Sequence, residues 1–413
     1  FRTIIAENQE YIGRIPLVQR PLDLEEYGNY VFVGVRQAGK SYLLYQRIQQ
    51  LLANGVDIEN IVYVNFDDER LQGMSVTDFD LILQAYHSMY DSQPIFFFDE
   101  IQNVEGWANF ARRLANQKYR IYITGSNAKM LSRDIETVLG GRYLDISVFP
   151  YSFSEYLKAV GVLVSKNWQY GRKANELQRH FRTYFDWGGF PELVHFQEKR
   201  VWLNSLYNRI FFNDLVVRHK IKNEDALRLC VRRLAESVKQ PCSLNRLSNL
   251  IKATGTPCSP STVMEYVRYL QESCLLISID NYVSKFVEKE TIKKHYFVDN
   301  GLLHLFINNP NTSLLENLCA ITLYKKYAKG LYYYNKKIEV DFYVPDEGLA
   351  VQASYQMSDG ETIEREVKAL VALHGLHPLK RAMIITYEDE GEIVRDGLRI
   401  EIKPAWKWVL EGL

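Results

Sequence analysis

The chain has 413 residues, 47% of them apolar and 24% charged, an ordinary globular composition that excludes wholesale disorder and leaves room for several cored domains. Lysine plus arginine and aspartate plus glutamate number 50 each, so no overall field advertises nucleic acid or an acidic membrane, and any basic face must be local. Five cysteines without a CxxC pair exclude a disulfide framework or zinc knuckle, and apolar runs such as "IFFF" and "IVYV" are too short to span a bilayer, so a cytoplasmic protein with reduced thiols is expected.

In chain order, the first strands are expected at Tyr30–Val33, Ile61–Phe66, Ile95–Phe98, Arg120–Thr124 and Tyr143–Val148, separated by helical patterns. These runs are apolar on both faces, which suits an α/β fold with a parallel sheet covered by helices on each side. From Tyr151 to Lys222 the pattern is helical, broken by "WGGFPELV". Asn223–Phe286 reads as helix, turn, helix, a "GTPCSP" break, helix and then strand. Val287–Leu413 mixes helices with strands such as "RAMIITY".

The stretch Gly34-Val-Arg-Gln-Ala-Gly39-Lys40-Ser41 fits G-x-x-x-x-G-K-[ST] at every fixed position. Two glycines let the backbone fold around a phosphate, and the following helix aims its positive end at the same anion. Gly34, Arg36, Gln37, Ala38, Gly39, Lys40, Ser41 and Tyr42 are the expected ATP-binding residues, with Lys40 on the phosphates and the Ser41 hydroxyl on Mg²⁺. "PIFFFDEIQN" puts Asp99 and Glu100 at the end of a buried strand, Asp99 to hold Mg²⁺ and Glu100 to orient and deprotonate water. After "RIYITGSN", Ser126 and Asn127 are either sensors of the terminal phosphate or caps of the next helix. Arg142, in "LGGRYLD", is either a transition-state arginine, acting in its own or a neighbouring subunit's site, or a surface residue, with Arg133 a weaker competitor.

With "GVRQAGKS", "VNFDDERL", "FFFDEIQNVEGW", "ITGSN", "GGRY", "FPYSFSEYL", "GGFPELV", "NDLVVR" and "VDFYV" in order, the chain resembles a family of bacterial and archaeal AAA+ ATPases with a C-terminal domain of unknown function. The resemblance implies a P-loop ATPase core (1–150), a helical lid and connector (151–222), a winged-helix unit (223–286) and a nuclease-like α/β end domain (287–413).

The C-terminal units carry weaker signals. Ser259-Pro260 has the N-cap and first-position chemistry of a helix start, but the helix after it offers Arg268 against Glu265 and Glu272, too little charge to neutralise phosphates. Arg218, Lys220, Lys222, Arg232 and Arg233 are either DNA contacts or a solvated helical face. In the PD-(D/E)xK nuclease pattern that the end domain resembles, Glu316 and Asp341 match. Gln352 and Ser354 replace the expected glutamate and lysine, so either the domain is a degenerate, non-cleaving fold used for packing or recognition, or the third motif lies elsewhere in the chain. The expectation is a Mg²⁺-dependent ATPase driving conformational change. A slow switch on a protein partner and a DNA-acting machine with a metal nuclease are the alternatives, and the oligomeric state is left open.

Overall fold

A computed structural model of the protein describes residues 1–126, 137–357 and 360–412. Its contacts divide the chain into two compact units, Phe1–Phe149 with Glu272–Cys274, and Pro150–Gln271 with Leu275–Leu413.

The N-terminal unit is built on five parallel strands, β1 (Asn29–Val33), β2 (Ile61–Asn65), β3 (Ile95–Asp99), β4 (Arg120–Gly125) and β5 (Tyr143–Ser147), in the order β2-β3-β4-β1-β5. Each lies within one residue of its expected bounds. Flanking helices are α1 (Arg2–Ile12), α2 (Lys40–Ala53), α3 (Phe79–His87) and α4 (Trp107–Asn116). Alternation along β3 sends Phe96 and Phe98 to one face, where they join Ile5, Phe79, Ile82, Trp107 and Phe110 of α1, α3 and α4 in one core cluster. Phe97 points to the other face and stacks on Tyr122, ring centroids 4.7 Å apart. There α2 covers it, with Arg47 Nε donating to Tyr122 OH at 3.1 Å. β1 to β4 are buried along nearly their whole length, which is why they read as apolar runs, whereas the edge strand β5 is largely exposed, Leu144 and Asp145 included.

β2 is an edge of this sheet. Asn8 and Gln9 of α1 donate side-chain amides to its Tyr63 and Ile61 carbonyls at 3.2 and 3.0 Å. Part of an edge that would otherwise invite pairing is thereby closed.

The C-terminal unit opens with helices Phe153–Ala159, Gly171–Trp187 and Lys199–Arg209, the last running on into π-helical turns at Ile210–Val217. Helices Glu224–Glu236, Leu244–Lys252 and Pro260–Glu272 follow. The last starts where Ser259-Pro260 signals it, with the Thr262 amide donating to Ser259 Oγ at 3.1 Å. One nine-stranded sheet joins β6 (Cys242–Ser243), β7 (Leu276–Asn281), β8 (Ile292–Phe297), β9 (Tyr332–Asn335), β10 (Glu339–Val344), β11 (Leu349–Ala353), β12 (Arg381–Thr386), β13 (Gly391–Arg395) and β14 (Leu398–Pro404) in the order β13-β14-β12-β11-β10-β9-β7-β8-β6. All five cysteines are free thiols.

A buried carboxylate explains the "GGFPELV" stretch. Asp299 accepts backbone N–H bonds from Gly189 and Gly301, both at 2.8 Å. Burial, only partly offset by these amides and by Lys325, raises its carboxyl from 3.8 to about 6.

Phe97→Ala should destabilise the N-terminal unit by about 3–5 kcal/mol, the cost of emptying a fully buried aromatic site, read by chemical denaturation. Because the Asp299 carboxyl is raised in the folded state, its contribution is complete below pH 3.8 and is lost as pH rises through about 6. Wild-type stability relative to Asp299→Asn should therefore fall between pH 4 and 7. A pH-independent difference would show that Asp299 keeps its ordinary acidity.

Candidate nucleotide site

The strand register gathers the site. Asn65 lies beside Asp99, Phe98 beside Ile123 and Val33 beside Gly125, so the C-terminal ends of β1 to β4 share one edge of the sheet. The loop from Gly34 to Gly39 leaves β1 at that edge and feeds α2. A Cβ on Gly34 would stand 2.0 Å from the Val148 carbonyl oxygen, so only glycine fits. Gly39 takes φ +93° as it turns into the helix, and Gln37 also has a left-handed φ, 62°. Val35 and Ala38 are fully buried, which anchors the loop from below.

Lys40 is 4% exposed, and its Nζ lies 3.2 Å from the Gly34 carbonyl, 3.3 Å from the Val35 carbonyl and 3.4 Å from Glu100 Oε1. The loop and the carboxylates are thus one site. Asp99 is buried and is held by hydroxyls from three other elements: Ser41 of α2, Thr124 of β4 and Tyr63 of β2, the last at 2.7 Å. Burial and then the Glu100 charge raise its carboxyl, while the three hydroxyls act in the opposite direction. Glu100 behaves differently. Burial would raise it, but the Lys40 charge, a Gln102 hydrogen bond and the Arg36 charge prevail and hold it low. It is therefore ionised at neutral pH. Its backbone is left-handed at φ 52°, and its N–H donates to Thr124 Oγ1 at 2.9 Å.

Among the expected residues, Gly34 to Ser41, Asp99, Glu100 and Ser126 are brought together. Ser126 is buried, its Oγ 3.4 Å from Gln102 Nε2, and Gln102 in turn donates to Glu100 Oε2. Tyr42 stands exposed on the first turn of α2. Asn127 and Arg133 lie outside the described residues. Arg142 is a correction: its carbonyl accepts from Asn29 Nδ2 at the start of β1, while the phosphate loop follows the end of that strand. Five residues of strand, roughly 16 Å at about 3.3 Å each, separate the two, so Arg142 cannot serve its own chain's site. Tyr63, Thr124 and Gln102 were not singled out from the sequence. A tyrosine and a threonine inside buried strands read as core, and a glutamine two residues past a carboxylate carries no signal of its own.

Elsewhere, three of the five basic candidates have carboxylate partners, while Lys220 and Lys222 stand exposed. Arg218 pairs with Asp214 at 3.3 Å, Arg232 and Arg233 share Glu236 at 3.4 and 2.7 Å, and the Arg228 guanidinium lies 4.0 Å from the Phe211 ring centroid. Among the described residues no group of three or more His, Cys, Asp or Glu side chains is set to hold a metal, and no helix is long and apolar enough to cross a membrane.

Residues 27–157 match the family profile described as an AAA domain, and residues 178–313 match a domain of unknown function, DUF8612. An uncharacterized protein of Methanocaldococcus jannaschii is 31% identical over 430 residues, which is 99% of this chain and 95% of that protein. One from Haemophilus influenzae is 31% identical over 393 residues, 92% of this chain and 94% of that protein. The chain belongs to their family. It is the archaeal and bacterial AAA-type P-loop ATPase family that the sequence resembles. Among solved structures it is similar to the Walker-type ATPase of Pyrococcus abyssi, at 12% identity, 74% of this chain, 94% of that chain and a TM-score of 0.42.

Gly34→Ala should cost the AAA domain its nucleotide affinity by tenfold or more while sparing the C-terminal unit, because the added methyl forces the loop off Val148. Titration with a fluorescent ATP analogue reads this; unaltered affinity would mean that the loop can move aside freely.

Proposed function

We propose that this chain is a Mg²⁺-dependent ATPase that couples its nucleotide state to conformational change in the segments after residue 150. The observation that carries the reading is the meeting of Lys40 Nζ with Glu100 Oε1 at 3.4 Å, beside a Ser41 hydroxyl bonded to Asp99. A phosphate entering the loop would draw Lys40 from the Gly34 and Val35 carbonyls. Glu100, ionised and released from Lys40, would then accept a proton from the attacking water. Ser41 and Asp99 fit Mg²⁺ as hard oxygen donors, already oriented by Tyr63 and Thr124, and the ion would offset charge on the phosphate oxygens. Ser126 is placed to report the terminal phosphate to Glu100 through Gln102.

The rest of the reading is a helical lid over 151–222, a winged helix at 223–286 and a nuclease-like domain at 287–413. The order of three helices, with β6 between the first two and β7 and β8 after the third, supports the winged helix. The reduced, mostly buried thiols support a cytoplasmic location. Arg142 would act, if at all, on a neighbouring subunit.

One observation favours slow turnover and the switch reading. Both carboxylate oxygens of Glu100 are engaged, Oε1 with Lys40 and Oε2 with Gln102, so the base must be freed before it can work. A protein partner would be the readout of such a switch. The local pairing of Arg218, Arg232 and Arg233 weakens the case for duplex DNA as that partner.

Steady-state ATP hydrolysis with Mg²⁺ separates these readings. Glu100→Gln should bind ATP as wild type does and lose about 10²–10⁴ in kcat, the usual worth of a general base. Lys40→Ala should lose binding itself. Equal turnover in wild type and Glu100→Gln would refute the assignment, and stimulation by duplex DNA would move the reading from switch to DNA-acting motor.

A further inference from the structure

A cleft of about 1390 Å³ opens in the C-terminal unit, with Glu316, Glu339, Asp341 and Gln352 among the residues at its wall. Into this acidic wall projects a lysine from another strand. Lys294, on β8, is fully buried, and its Nζ lies 3.0 Å from Asp341 Oδ1, 3.1 Å from Glu316 Oε1 and 3.4 Å from Glu339 Oε1. Its ammonium donates hydrogen bonds to Asp341 and Glu316, and the Glu339 carboxylate faces it as an ion pair.

The neighbours complete the arrangement. Tyr296 OH donates to Glu316 Oε1 at 2.8 Å, and the Ala353 amide donates to Asp341 Oδ2 at 3.1 Å. Gln352 spends both ends of its amide on backbone, accepting from Asp341 N at 2.8 Å and donating to the Glu339 carbonyl at 3.1 Å. It stitches β10 to β11, held by backbone at both ends. Burial and then the Asp341 charge push Glu316 up, as crowded carboxylates require.

We propose that the Lys294 ammonium is the resident cation of this three-carboxylate centre, occupying the place where a divalent ion would sit, so that the centre takes up no metal and supports no metal-dependent cutting. Separations of 3.0–3.4 Å suit N–H···O contacts and exceed by about 1 Å the distances Mg²⁺ demands of oxygen ligands. An entering ion would also have to expel a buried ammonium, leaving that charge without a partner. An ammonium neutralises carboxylates as a metal does, but it cannot lower the pKa of a bound water or clamp a phosphoryl oxygen as a Lewis acid. The lysine missing at Ser354 therefore has a counterpart on β8, serving as counter-ion.

The test is Mn²⁺ binding by calorimetry on the full chain without nucleotide, for wild type, Asp341→Asn and Lys294→Met. Wild type and Asp341→Asn should give the same heats, whereas Lys294→Met should gain one Mn²⁺ site at least tenfold tighter than anything in wild type. Uptake by wild type that Asp341→Asn abolishes would overturn the proposal, as would a folded Lys294→Met that gains no site. Should Lys294→Met not fold, the comparison of wild type with Asp341→Asn still decides. Plasmid DNA held with wild type and Mn²⁺ should stay intact, and cleavage lost in Asp341→Asn would count against the proposal. None of these readouts involves ATP, so failure here leaves the ATPase reading standing.

Discussion

A carboxylate removed from water must be held by its neighbours, and in the N-terminal unit that demand falls around Asp99. It is 1% exposed at the end of β3, where an isolated charge would cost several kcal/mol or more to keep. Hydroxyls converge on it from β2, β4 and the first turn of α2. Each donor fixes the element that carries it, so one buried group sets the relative placement of three strands and the phosphate-loop helix. Glu100 inherits that rigidity through its N–H bond to Thr124 Oγ1. Glu100 is thus mounted on a residue that its neighbours hold in place.

The C-terminal unit solves the same problem differently. Its buried charges are matched by backbone amides at Asp299 and by a tethered cation at Glu316 and Asp341. Asn300 and Asn317 extend this polar interior, Asn300 reaching the Phe185 and Leu314 carbonyls and Asn317 the Phe297 carbonyl. Such networks gain little net stability but make wrong packings costly, since each misplaced donor is left bare.

How much of this the sequence disclosed follows from distance along the chain. The phosphate loop packs its chemistry into eight consecutive residues, and Asp99 and Glu100 end a run that can hardly be anything but a buried strand. Those are local signals, and they survive translation into structure with one residue of slack at the strand ends. Tyr63 reaches Asp99 from 36 residues away, and Lys294 reaches Glu316 and Asp341 from 22 and 47. No periodicity or motif announces such pairs. The sequence revealed the loss of a glutamate and a lysine at Gln352 and Ser354, but not the return of positive charge on β8. Arg142 shows a related limit: "GGRY" tells that an arginine precedes a strand, while only the parallel register shows which end of the sheet that is, and so removes the own-chain alternative alone.

The nine-stranded sheet has a thin place. Between β7 and β9 only two residue pairs align, Asp280 with Tyr332 and Asn281 with Tyr333, and the Asn281 side chain prolongs the join by bonding both the N–H and the carbonyl of Asn335. The other joins between long strands align three to five residue pairs. β8 lies on one side of this seam and β10 on the other, so the contact of Lys294 with Asp341 crosses it like a rivet. A ladder resists shear along its whole length, whereas a rivet is either seated or drawn. The join with the shortest ladder between long strands is thus the one that a buried ion pair also spans, so here charge adds to backbone pairing.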